Sequence, residues 1–104
     1  EHCEVIVDKI GPAVDAPHDA EFFDAMRQAL LCEDPDAVVL PYFLSAGTDN
    51  KWLSRLGIAG YGFVPLQLPD DFDFASMFHA VDERVPVDAV RFGTRVLRRL
   101  FESC

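Results

Sequence analysis

The chain has no long hydrophobic run, no excess of basic residues and no paired cysteines. Its apolar stretches stay well short of the ~20 consecutive residues that a membrane-spanning helix needs. The 104 residues include 9 Lys and Arg against 18 Asp and Glu, a formal net charge of −9. Nucleic acids and anionic membranes both select a basic face, so this balance argues against either as a partner. It is compatible with a cation site, but acidic surfaces are common. The cysteines, Cys3, Cys32 and Cys104, are odd in number and widely spaced. That is neither a disulfide framework nor a zinc ribbon. It fits buried free thiols in a reducing, cytoplasmic compartment. There is no internal repeat and no low-complexity segment. No signal peptide is visible, and because Glu1 is not a start methionine the native N-terminus is expected upstream.

What is present is hydrophobic for so short a chain. Half of the residues are apolar (50%), and some of that surface is expected to face a missing partner, the chain's own copy included. Cys3 to Ile10 carries Val5, Ile6, Val7 and Ile10 and reads as a strand ended by Gly11-Pro12. Asp19 can cap a helix from about Ala20 to Cys32, with Phe22, Met26, Ala29 and Leu30 on its buried face. Ala37 to Leu44 is a near-continuous apolar run, the pattern of a central strand covered on both faces, with Pro41 as an irregularity. Ser45-Ala46-Gly47-Thr48 is a tight turn, and Asp49 or Asn50 opens a short helix that Gly57 closes.

Ile58 to Val64 reads as a third strand, loosened by Gly60 and Gly62. Residues 65 to 78 form a loop, in which Asp70, Asp71 and Asp73 suit turn chemistry and solvation. The last helix begins near Asp88, with Val90, Gly93, Leu97 and Leu100 on one face, broadened by Val96 and Phe101. Arg91, Arg95, Arg98 and Glu102 share the other face and read as solvated charge favourable to the helix dipole. Alternation of this kind predicts an α/β fold: a layered fragment with a small, mainly parallel sheet and about three helices.

On residue pattern alone, His79 is an ordinary surface or core histidine, because zinc needs three or four ligands and no ligand cluster surrounds it. His2 and His18 have no motif around them. A Gly-Thr-Asp turn is by itself explained by a helix cap at Asp49. The combination is more specific. Ser45-Ala46-Gly47-Thr48-Asp49, then Tyr61-Gly62-Phe63-Val64-Pro65, then His79-Ala80-Val81-Asp82-Glu83 leading into a hydrophobic helix, resembles the last part of the catalytic domain of a zinc metallopeptidase/deacylase family. That family includes acetylornithine deacetylase, succinyl-diaminopimelate desuccinylase, aminoacylase, carboxypeptidase G and carnosinase. The likeness covers nearly the whole chain and is strongest from about Tyr42 to Leu100.

The resemblance implies metal-assisted hydrolysis of N-acyl amino acids or small peptides by a two-zinc site. It makes His79 one zinc ligand, and gives Ser45, Gly47 and Thr48 the substrate's carboxylate to bind, through backbone groups and the threonine. Small-residue turns of this kind point N–H groups at anions. Asp49 is expected to hold the turn. Glu83 could fix the His79 tautomer or bond backbone at the start of the last helix, and the structural role is favoured. Arg84 is expected to pair with Glu83 or Asp82.

Two residues depart from the family's usual glycines: Ala46 in the turn and Ala80 after the histidine. If either position needs a left-handed backbone, alanine costs about 1–2 kcal/mol there. The family's His-x-Asp motif, bridging aspartate, Glu-Glu pair and lid residues are not found among these residues. The chain therefore reads as residues 1–104 of the C-terminal segment of such a catalytic domain, with residues 1–10 the end of the lid domain or the strand returning from it. No catalytic residue is assigned, no activity is expected of the chain alone, and the remainder of the catalytic domain is its expected partner. The alternative is a free-standing acidic α/β module that binds a partner protein without catalysis.

Overall fold

The computed structural model describes residues 3–6, 11, 13–44 and 46–103. Among the described residues four α-helices follow one another: α1 Glu21–Leu31, α2 Asn50–Leu53 continued by a 3-10 turn Ser54–Leu56, α3 Phe74–Met77 and α4 Val87–Ser103. The chain divides into two compact units, Glu1–Pro17 with Pro41–Gly62 and His18–Leu40 with Phe63–Cys104. Among the described residues no helix is long and apolar enough to cross a membrane.

The second unit is built on α1 and α4, which pack against each other. Glu21 and Asp24 in the first turn of α1, and Asp88 in that of α4, place negative charge where the helix dipole favours it. The residue before α1 is Ala20, which offers no side-chain cap, so Asp19 does not play the capping role its type suggested. Pro86 precedes α4 and accepts a hydrogen bond from Val90 N–H at 3.2 Å. The core comprises Met26 and Ala29 of α1 with Ala89, Phe92, Val96 and Leu100 of α4. Fully burying one large apolar side chain contributes about 1.5–3 kcal/mol, so Met26, Phe92, Val96 and Leu100 supply most of this unit's cohesion.

The buried stripe of α4 is rotated from the expected one. Gly93, Val96 and Leu100 are buried as anticipated, but Ala89 and Phe92 join them, while Val90 and Phe101 are exposed. Phe22 of α1 is likewise exposed rather than buried.

The α/β expectation is overturned: among the described residues there is no β-strand. The apolar run 37–44 has no regular structure, and Val38 and Tyr42 within it are 81% and 82% exposed. Residues 58–64 and 3–6 also lack a strand, and residues 7–10 lie outside the described set. The physical reason is pairing. Local pattern makes a segment suitable for a strand, but a strand exists only when another backbone takes up its N–H and C=O groups. A central strand also needs a layer on each face, and α1 and α4 turn their apolar faces toward each other.

Candidate functional site

In the first unit, the segment from Thr48 to Ile58 is ordered by local hydrogen bonds. Thr48 Oγ1 accepts from Asn50 N–H at 3.3 Å, and the Thr48 carbonyl accepts from Lys51 N–H at 3.3 Å. The Asp49 carbonyl accepts from Trp52 and Leu53 N–H at 2.9 and 3.2 Å. The side chain of Asp49 makes no capping bond, so the stabilising hydroxyl is that of Thr48. A hydroxyl that accepts one bond still has its own proton to donate. Ser45 lies outside the described residues.

Two close approaches surround this turn. Lys51 Nζ lies 3.7 Å from where a Cβ on Gly47 would sit, so its ammonium folds back toward the turn. Asn50 Oδ1 lies only 2.4 Å from where a Cβ on Gly60 would sit, so glycine at 60 is what admits the Asn50 side chain. Gly57 closes the 3-10 turn with φ 74°, the left-handed conformation anticipated for it. Tyr61 OH donates to the Pro17 carbonyl at 2.6 Å.

In the second unit, α3 is a single turn fixed by Asp73, whose Oδ1 accepts from Ser76 N–H at 3.2 Å. Phe74 and Phe78 meet edge to face, with centroids 4.7 Å apart at 71°. His79 follows at once. It is exposed and is the non-glycine residue found with positive φ, 58°, among the described residues. Ala80 N–H donates to the Met77 carbonyl at 3.2 Å, closing a turn around the histidine. The left-handed position is thus His79 and not Ala80, so the alanine there carries no left-handed strain.

Glu83 and Arg84 act through the backbone. Glu83 N–H donates to the Ala80 carbonyl at 3.2 Å, and no hydrogen bond joins Glu83 to His79. Arg84 Nη1 donates to the Asp82 carbonyl at 3.1 Å instead of pairing with a carboxylate. Residues 46–48 belong to one unit, and His79 and Glu83 to the other. No group of three or more His, Cys, Asp and Glu able to hold a metal ion occurs among the described residues. One imidazole does not make a hydrolytic zinc site, and the residues present do not fit a two-zinc centre by themselves.

The strongest charge cluster escaped the sequence pattern. Arg95 Nε and Arg99 Nε of α4 both reach Glu33, just beyond α1, at 2.6 and 2.5 Å, one to each carboxylate oxygen. Hydrogen bonds from Arg95 and then Arg99 hold the Glu33 carboxyl below the usual carboxylate range, and Glu33 in turn raises Arg99. These partners are 62 and 66 residues apart in sequence, so no local spacing announces them. The Arg98–Glu102 pair at 2.7 Å is the i,i+4 contact that spacing does announce. Cys32 is exposed, not buried, in a shallow groove between α1 and α4 that Arg99 also lines; Cys3 is exposed as well, and Cys104 lies outside the described residues.

Comparison of this chain with known family models, with curated proteins and with solved structures returns no match.

Proposed function

We propose that this chain is part of a zinc-dependent hydrolase that cleaves the amide bond of N-acyl amino acids or small peptides. The carrying observation is the ordered spacing of three runs, Ser45–Asp49, Tyr61–Pro65 and His79–Glu83, each of the type found in the aminoacylase and carboxypeptidase family. In this reading His79 is one zinc ligand, and the turn bearing Gly47 and Thr48 receives the substrate carboxylate. The zinc ions would activate water when bound, and their other ligands and the general base come from polypeptide beyond these residues. The backbone of His79 supports the reading, since a left-handed non-glycine residue outside regular structure is a frequent mark of a functional position. The reading includes a reducing, cytoplasmic location, in which Cys3 and Cys32 stay as thiols.

The test is metal analysis and hydrolysis of N-acyl amino acids with added zinc. It is run on the 104-residue chain and on the same chain extended by any coding sequence that precedes Glu1. Turnover by the extended protein, lost on His79→Ala, is the expected result, with no turnover by the shorter chain. Stoichiometric tight zinc and turnover by the shorter chain would overturn the assignment of ligands.

A second reading, a protein-interaction module without catalysis, is favoured by the exposed Tyr42, Phe43, Trp52 and Leu56 of the first unit. Large apolar side chains left exposed in such number suit a contact with another protein. Sedimentation of the chain separates self-association from a monomer. An extended protein that hydrolyses no N-acyl amino acid would favour the module.

A further inference from the structure

We propose that Lys51 and Arg55, stacked on Trp52 beside the Gly47–Thr48 turn, form a cationic cluster that binds the carboxylate of a small N-acyl amino acid. The inference rests on the reading of that turn as the substrate-docking element and adds the residues that supply its charge.

The observation is an imbalance in how the chain spends its cations. Four arginines of α4, Arg91, Arg95, Arg98 and Arg99, are each paired with a carboxylate. Lys51 and Arg55, like Arg27 and Arg84, pair with no carboxylate among the described residues, but they sit over an indole ring. Lys51 Nζ lies 5.5 Å and Arg55 Cζ 4.7 Å from the centroid of Trp52. A π face attracts a cation without cancelling its charge. A guanidinium stacked on a ring also keeps its in-plane N–H donors open. Between residues 41 and 62 the only acid is Asp49, against Lys51 and Arg55. A chain of net charge −9 therefore has a locally positive stretch at the turn.

The groups at the turn suit a carboxylate. The Lys51 ammonium leans toward Gly47, at 3.7 Å from where a Cβ on that glycine would be. The Thr48 hydroxyl, which accepts from Asn50 N–H, keeps a proton to donate. A carboxylate placed there meets a cation and a hydroxyl donor, while Trp52, 53% exposed, offers apolar surface to the rest of a small molecule. Charge-assisted hydrogen bonds are the strong ones, so removing one of the two cations should weaken binding roughly tenfold or more.

The experiment is a metal-free NMR titration of the 104-residue chain with N-acetyl-L-alanine. Parallel titrations use the uncharged N-acetyl-L-alaninamide and inorganic phosphate. Saturable shifts at the Gly47, Thr48 and Lys51 amides and at the Trp52 indole are expected with the acid alone. Lys51→Gln and Arg55→Gln should weaken them, Arg27→Gln, with the same change in net charge, should not, and circular dichroism checks that helix content is kept in each. Absence of saturation, equal response to the amide or to phosphate, or equal weakening by Arg27→Gln overturns the proposal. The titration involves neither zinc nor turnover. Its failure leaves the hydrolase reading standing, and an extended protein without activity leaves the cluster standing.

Discussion

Gly93 of α4 lies directly against the carbonyl of Pro65. A Cβ at position 93 would come 2.7 Å from the Pro65 oxygen and 3.4 Å from Leu66 Cδ2. The obstruction is backbone and cannot swing aside as a side-chain tip could. Gly93→Ala would normally favour a helix by about 1 kcal/mol, but overpacking of this kind costs about 1–3 kcal/mol. The expected outcome is net destabilisation. Urea unfolding followed by helical circular dichroism measures it, and an unchanged or higher midpoint would show that the Pro65 segment yields freely.

The clasp of Arg95 and Arg99 on Glu33 makes the second unit acid-sensitive. The carboxyl of Glu33 is depressed in the folded state, so its contribution to stability is fully present above its unfolded value, ~4.3. That contribution is lost as pH falls through the lower folded value. Between neutral pH and about 5 this group should leave stability unchanged, and below that its share should decline. Glu33→Gln should be less stable than the parent at neutral pH, with the difference narrowing on acidification. The side chain of Glu33 is 11% exposed, so salt should weaken the clasp less than it weakens the surface pair of Arg91 and Asp88. Thermal unfolding across pH and ionic strength gives both comparisons.

Gly57 offers a cleaner backbone test. Nothing lies within 4 Å of where its Cβ would be, and its φ is 74°. Gly57→Ala therefore probes left-handed strain alone and should destabilise by about 1–2 kcal/mol. Gly57→Asn should be milder, because asparagine visits this region more readily. The loss should appear as faster hydrogen exchange at the amides of Gly57 and Ile58, which donate to the Ser54 and Leu53 carbonyls at 3.1 Å each.

His79 should show the opposite sign. A left-handed backbone at a non-glycine residue costs about 1–2 kcal/mol, so His79→Gly is expected to stabilise the chain by up to about 1 kcal/mol, after its own loss of chain entropy. His79→Val, β-branched, should destabilise it. Melting temperatures of the three proteins decide this. If His79 is the zinc ligand proposed above, a glycine there that stabilises the chain and abolishes activity is the trade-off expected of a functional residue.

The helices α1, α2 and α4 were legible because their signals are local, whereas the single turn α3, Phe74–Met77, falls in a stretch read as a loop. The span of α1, the short helix after Asp49 and its stop at Gly57 follow from periodicity, a turn and a left-handed glycine within a few residues of one another. The face of α4 was only partly legible. Apolar positions at 89, 90, 92, 93, 96, 97, 100 and 101 cover more than one stripe, and the packing of α1 selected the stripe through Ala89, Phe92, Val96 and Leu100. At the candidate site, the turn and the one-residue step from α3 to His79 come from local hydrogen bonds. Arg55 over Trp52 was also within reach of the sequence, since it lies three residues on at helical spacing, whereas Lys51 is the ring's chain neighbour.

By itself the sequence determined the places of α1, α2 and α4, the stop at Gly57, and that the charge is acidic. Those properties depend on dihedral preferences, capping and composition, which act over a few residues. Tertiary structure alone decided that the apolar runs at 37–44 and 58–64 are not strands. It also decided that two arginines of α4 are drawn to Glu33, and that Gly93 touches Pro65. Each depends on a group far along the chain. Strand pairing needs a second backbone, an ion pair needs its counter-charge, and close packing needs the opposing surface, and none of these partners is contained in the segment that requires it.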